Sequence, residues 1–135
     1  MPALKICLKA GEKIYINGAV LEASHKMSFN ILNNATFLLE SHIMQAEDAD
    51  TPFRQLNFII QTMLIQPDNK DSILTIFHEH CEELKKHLEN KALSEGLDRI
   101  ISQVARDRAF EALKTVRNLF EDEATVLKGT QSQAA

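Results

Sequence analysis

Residues 4–21 read LKICLKAGEKIYINGAVL, and the reading of this stretch decides the fold. Leu4, Ile6 and Leu8 alternate with Lys5, Cys7 and Lys9, the period of two that sends one set of side chains to a core and the other to solvent. Ala10-Gly11-Glu12 breaks the run, and Lys13–Ile16 resumes it with Ile14 and Ile16 inward. Asn17-Gly18 is a preferred pair for a two-residue hairpin whose central residues need positive φ, so Ala19-Val20-Leu21 returns along the preceding strand. The outward set is Lys5, Lys9, Lys13 and Tyr15, three cations and one ring.

Outward from this stretch, Met27–Leu32 predicts a further strand, with Met27, Phe29 and Ile31 on one face. Asn33-Asn34 marks a turn, and Ala35–Leu39 predicts a fifth strand. The expectation is an antiparallel β module over residues 1–45, a small sheet curled into a partial barrel. Its apolar face needs cover, which a helical module over 46–128 would supply by packing on it. The fold class is therefore α+β, in one compact domain.

The helical module opens at Thr51-Pro52, an N-cap residue followed by proline at the first helical position, after the acidic connector Glu47–Asp50. Phe53, Leu56, Ile59, Ile60, Met63 and Leu64 recur at three- and four-residue spacing, one apolar stripe on a helix that Pro67 stops. A second helix is expected over Asp71–Glu89, with Asp71 as N-cap and Asn90 at its end. A third covers Leu93–Val104 and a fourth Asp107–Leu127. No proline or glycine separates the last two, so the sequence leaves open whether they form one bent helix. From Gly129 the chain lacks apolar anchors and is expected to be a disordered tail.

The net charge is −4, with residues 1–50 and 51–135 each contributing −2. Nucleic-acid binders usually carry a basic footprint, so any such site here must be a local patch or act through a partner. No apolar run is long enough for a membrane span, and without a basic n-region followed by an apolar h-region, secretion by a cleaved signal is not expected. Cys7 and Cys81 read as reduced thiols of a cytoplasmic protein. No nucleophile elbow and no phosphate-cradling glycine loop is present. An enzyme is accordingly not expected, and neither catalytic residues nor a cofactor are assigned.

His78-Glu79-His80-Cys81-Glu82 sets His78, Cys81 and Glu82 at i, i+3 and i+4 of a helix. Zinc sites take four tetrahedral ligands, usually as two spaced pairs, and no second pair is visible. A polar helix face with Cys81 as a small core residue is the better reading, and no metal site is assigned. Two basic groupings remain. One is Lys5, Lys9, Lys13 and Lys26 with Tyr15 as a stacking ring, suited to single-stranded RNA on a sheet face. The other is Lys85, Lys86, Lys91, Arg99, Arg106, Arg108, Lys114 and Arg117, interleaved with acids and read as a solvated helix face.

Three stretches resemble one family. GEKIYINGAVL preceded by LKICLK, AEDADTPFRQLNFIIQTMLIQP over Ala46–Pro67, and FEALKTVRNLF over Phe110–Phe120 are similar, in the same order, to the flagellum biosynthesis repressor FlbT family. The resemblance implies a bacterial post-transcriptional repressor that associates with the 5′ untranslated region of flagellin mRNA and promotes its degradation. The first forty-odd residues also resemble the carbon storage regulator family of RNA-binding β proteins: a first strand, Gly11-Glu12, a second strand ending in a turn, and a late strand running into Ile43. That family meets RNA with basic residues on its first and last strands. Lys9 matches one such position, whereas Leu8 and Glu40 stand where basic residues would.

Two expectations follow for function. Either the β module touches the flagellin message through Lys5, Lys9, Lys13, Tyr15 and Lys26, while the helices dock a co-regulator protein or a second subunit, or the chain is a protein-interaction module without direct RNA contact. Open sheet edges favour a homodimer.

Overall fold

The computed structural model describes residues 4–17, 19–33 and 35–134, with side chains to residue 128. The chain divides into two compact units, Met1–Ile43 and Met44–Ala135.

The first unit is all β: β1 (Leu4–Leu8), β2 (Lys13–Ile16), β3 (Ala19–Glu22), β4 (Met27–Ile31) and β5 (Phe37–Leu39). Every pairing is antiparallel. The strands lie where the alternation predicts them, but they form two sheets rather than one: β1 with β4, and β3-β2-β5. Consecutive β3 and β4 do not pair. Ala23–Lys26 carries the chain from one sheet to the other, with the small side chain of Ala23 buried at the corner. Ile6 and Leu8 from one sheet meet Ile14 from the other in a single apolar cluster. Phe29, Ile31, Ile16, Phe37 and Leu39 pack against it. Leu4, expected inward, is 48% exposed, because it pairs with Ile31 at the open end of β1–β4.

The turns are held by specific groups. Gly11 has φ +81, a conformation that glycine adopts without Cβ strain. Its N–H donates to the Ala23 carbonyl at 2.7 Å, while the Ala23 N–H donates to the Glu12 carbonyl at 3.0 Å. Register pairs Ile16 with Ala19 and Asn17 has φ +48, which agrees with the expected two-residue hairpin; Gly18 lies outside the described residues. Asn17 also binds backbone, its Oδ1 accepting from the Thr36 N–H at 3.2 Å. Of the Asn33-Asn34 turn, Asn34 lies outside the described residues.

The second unit is helical: α1 (Pro52–Ile65), α2 (Lys70–His87), α3 (Lys91–Ala105), α4 (Ala109–Asn118) and α5 (Phe120–Ala134). Thr51 caps α1 as its sequence announces, its hydroxyl accepting from the Arg54 N–H at 3.2 Å. The N-cap position of α2 is Asn69 and not Asp71, because a 3-10 turn at Pro67–Asn69 leads straight into Lys70 and leaves Asp71 in the first turn. Asn90 begins a helix instead of ending one: its side chain accepts from the Leu93 N–H at 3.0 Å and caps α3.

The open question about the last helices has a definite answer. α3 ends at Ala105 with Arg106 as its C-cap, and Asp107 adopts φ +61. The Asp107 N–H donates to the Val104 carbonyl and the Arg108 N–H to the Gln103 carbonyl, the paired bonds of a Schellman C-cap, with aspartate where glycine is usual. The Lys70 ammonium bonds the Asp107 carboxylate and holds its carboxyl below the usual range. A second break at Leu119 separates α4 from α5. Leu119 lies over Gly96 of α3, in space that a Cβ at Gly96 would claim. α5 has helical backbone through Ala134.

α1 packs against α2 and α4, and α4 against α3. Phe53, Leu56, Ile60, Phe77, Leu97, Ile100, Leu113 and Val116 form the fully buried core. Among the described residues, three polar side chains are buried with them. Glu123 is 5% exposed; its Oε2 accepts the Phe53 N–H at 2.9 Å and its Oε1 the Thr51 hydroxyl at 2.5 Å. It thus places a carboxylate on the positive end of α1. Asn57 Oδ1 accepts from Arg117 Nε at 3.0 Å. Gln61 clamps the backbone of Met44 from both sides, accepting from its N–H at 2.8 Å and donating to its carbonyl at 2.9 Å.

Replacing Glu123 by Ala leaves the Phe53 N–H and Thr51 hydroxyl without their acceptor in a buried setting. The expected loss is about 2–3 kcal/mol of stability, read as a lower urea midpoint at unchanged m-value. Glu121→Ala, at an exposed position of the same helix, should stay within about 0.5 kcal/mol.

Candidate nucleic-acid interface

The boundary at Ile43 separates charge in a way that an equal split of the sequence hides. Met1–Ile43 carries four Lys against three Glu, a net of +1, and the remainder carries eleven Lys/Arg against sixteen Asp/Glu, a net of −5. The basic side chains of the two units also differ in their surroundings. In the helical unit Arg54, Lys70, Lys85, Lys86, Lys91 and Arg108 each meet an acid. Lys114 lies over the Phe110 ring. Arg117 is half-buried against Asn57, and burial lowers its pKa, although an arginine keeps its charge at physiological pH. In the β unit, among the described residues, no ion pair includes Lys5, Lys9, Lys13 or Lys26.

The expected cationic face does not assemble as one surface. Ile6, Leu8, Phe29 and Ile31 point into the shared cluster from one sheet, and Ile14, Ile16, Phe37 and Leu39 from the other. By alternation, Lys5 and Lys9 lie on the outer face of β1–β4, and Lys13 and Tyr15 on the outer face of β3-β2-β5. These are opposite faces of the two-sheet unit. Lys13 also stands directly across from Glu22, and Tyr15 shares its face with Val20 and the buried Leu38.

The β1–β4 face is the basic one. Lys5 pairs with Asn30 and Cys7 with Ser28, and one further step of that register would set Lys9 beside Lys26. All six are exposed. Residues 4–9 and 26–31 hold three lysines and no acid. Glu12 is the nearby carboxylate, its Oε1 accepting from the Lys9 N–H at 3.0 Å. Asn30 and Ser28 escaped the sequence reading because β1 and β4 are far apart in the chain, and alternation within a strand says nothing of its neighbour.

Glu40, which stands where the carbon storage regulators have a basic residue, is occupied otherwise. β5 stops at Leu39 and does not run on to Ile43. Glu40 opens a 3-10 turn, Glu40–His42, and its Oε2 accepts from the Lys13 N–H at 2.7 Å. The carboxylate closes backbone at the end of the sheet, a role that a basic side chain could not fill.

On α2, His80 Nε2–H donates to the Pro52 carbonyl at 2.9 Å, and His87 bonds Glu83 at 3.0 Å. Cys81 turns inward, 3% exposed, and burial pushes its thiol up to about 12. Among the described residues no three His, Cys, Asp or Glu side chains converge on a common point, and no helix is long and apolar enough to cross a membrane.

Fold and surface together define a small α+β protein in which a lysine-bearing β unit is joined to an acidic helical unit. The family profile described as "Flagellar protein FlbT" matches residues 4–127. The chain is 44% identical over 132 residues to the "Probable flagellum biosynthesis repressor protein FlbT" of Allorhizobium ampelinum, covering 98% of this chain and 89% of that one. It is 45% identical over 124 residues to the protein of the same description from Rhizobium leguminosarum bv. trifolii, covering 92% and 83%. It is 40% identical over 129 residues to that of a Chelativorans species, covering 96% and 89%. No solved structure matches. The chain belongs to the FlbT family of flagellar proteins.

The two cysteines should differ in reactivity. At pH 8 a thiol reagent is expected to modify Cys7 in the native protein and to reach Cys81 only after unfolding. Above the ordinary thiol pKa the unfolded chain releases the Cys81 proton while the folded chain retains it. Stability should therefore fall as pH rises from about 9 toward 12, to a smaller extent in Cys81→Ala.

Proposed function

We propose that this protein represses flagellum biosynthesis after transcription, by associating with the 5′ untranslated region of flagellin mRNA and promoting degradation of that message. The name shared by its relatives supports the repressor role. The observation that carries the RNA contact is the β1–β4 face, with Lys5, Lys9 and Lys26, no acid in its strands and a net positive unit behind it. In this reading the lysines bind phosphates. Lys13 and Tyr15 face the other way and have no part in it. The protein acts as a regulator in the cytoplasm rather than as an enzyme, and degradation is left to a nuclease that it does not itself supply.

A second reading is a protein-interaction module that reaches the message through a co-regulator or as a homodimer. The net charge of −4 favours it, as does β3, an edge strand whose Val20 and Leu21 are 55% and 48% exposed. Such strands accept a partner strand readily.

The purified protein is expected to bind the leader of its host's flagellin mRNA directly. Three phosphate contacts correspond to a slope near −2 in log affinity against log salt, about a twentyfold loss between 50 and 200 mM. The double substitution Lys5→Glu, Lys9→Glu should abolish binding while the circular dichroism spectrum is retained. Absence of binding by the folded, unsubstituted protein would instead support the second reading.

A further inference from the structure

The three lysines of the β1–β4 face leave a gap in the RNA reading. An ammonium group donates and cannot accept, so it holds a phosphate without telling one base from another. Discrimination needs side chains that can match a base edge. Among the outward residues of β1 and β4 only Ser28 and Asn30 carry both a strong donor and a strong acceptor at neutral charge, the Cys7 thiol being weak as either, and they stand in β4 opposite Cys7 and Lys5. Directly opposed residues of an antiparallel pair have Cβ atoms about 5 Å apart. A nucleotide whose phosphate meets Lys5 therefore brings its base within reach of Asn30.

We infer that Asn30, with Ser28 beside it, is the base-reading group of this protein, and that its ligand is a short single-stranded RNA segment laid along β1 with its bases turned toward β4. This rests on the reading that the β1–β4 face contacts RNA. The exposed length supports a single strand. Lys5 and Lys9 are four residues apart, about 13 Å along a strand, enough for a few nucleotides. Side chains of a two-stranded ribbon cannot read the deep, narrow major groove of an RNA duplex, whereas unpaired bases offer their edges freely. The amide of Asn30 matches adenine best, giving one bond to an acceptor and taking one from the exocyclic amine. No aromatic residue lies on this face, so selectivity there comes from hydrogen bonds and not from stacking.

The test uses the full chain and two RNAs, the flagellin leader of its host and a scrambled leader of the same composition and length, each measured across a salt series. The unsubstituted protein is expected to prefer the leader. Asn30→Ala should reduce that preference fivefold or more, the loss of one paired base contact. Asn30→Thr, which suits a strand and keeps a hydroxyl but not the paired amide, should do the same. Lys5→Ala should weaken both RNAs in step, flatten the salt slope by about 0.7, and keep the preference. Preference unchanged in both Asn30 variants overturns the inference and leaves the RNA reading standing, as does an unsubstituted protein that binds both RNAs equally. An unsubstituted protein that binds neither RNA overturns both.

Discussion

A carboxylate withdrawn from water must find donors, and in the helical unit Glu123 finds them at the start of α1. Two groups of the first helical turn, the Phe53 N–H and the Thr51 hydroxyl, bond its two oxygens. The positive end of the helix dipole adds to both. Seventy residues of chain separate donor from acceptor, so the bond sets where α5 begins relative to α1. Arg117 on Asn57 repeats the constraint one helix earlier, and the clamp of Gln61 on Met44 extends it to the chain entering the unit. Apolar packing alone would tolerate α4 and α5 rotated or shifted by a turn. Buried polar groups that must each be satisfied do not tolerate it, and among the described residues none is left without a partner.

The β unit follows a different constraint. Five short strands cannot bury much, and they form two sheets around one small cluster of Ile, Leu and Phe. Alternation then assigns every other side chain to an outer face. It puts Lys5 and Lys9 on one and Lys13 and Tyr15 on the other, although all four share one parity along the chain. In the helical unit Arg54, Lys70, Lys85, Lys86, Lys91 and Arg108 each meet an acid, whereas among the described residues no ion pair includes Lys5, Lys9 or Lys26. Charge thereby divides between the units, and a chain that is acidic as a whole carries a β unit of net charge +1.

Several features were legible because their physics is local. The five strands, the Thr51-Pro52 start of α1, its stop at Pro67 and the positive φ at Asn17 each depend on a few adjacent residues. Helix limits at Val104 and Asp107 were legible, but whether the chain bends or breaks between them was not, because the left-handed position falls to Asp107 and not to the glycine that usually marks such an end. The true roles of Asn69, Asn90 and Asp71 differ by two or three residues from the expected caps, a shift that propensity does not resolve.

By itself the sequence determined the α+β class, the order and approximate limits of the elements, the apolar residues of the core and the family. These depend on periodicity and on short-range backbone preference, which neighbouring residues carry between them. Only the tertiary structure decided which strands pair, that the lysines divide between two faces, that Asn30 stands beside Lys5, and that Glu123 is buried on α1. Each of those depends on residues distant in the chain meeting in space, and period two records that a side chain points outward without recording what it faces.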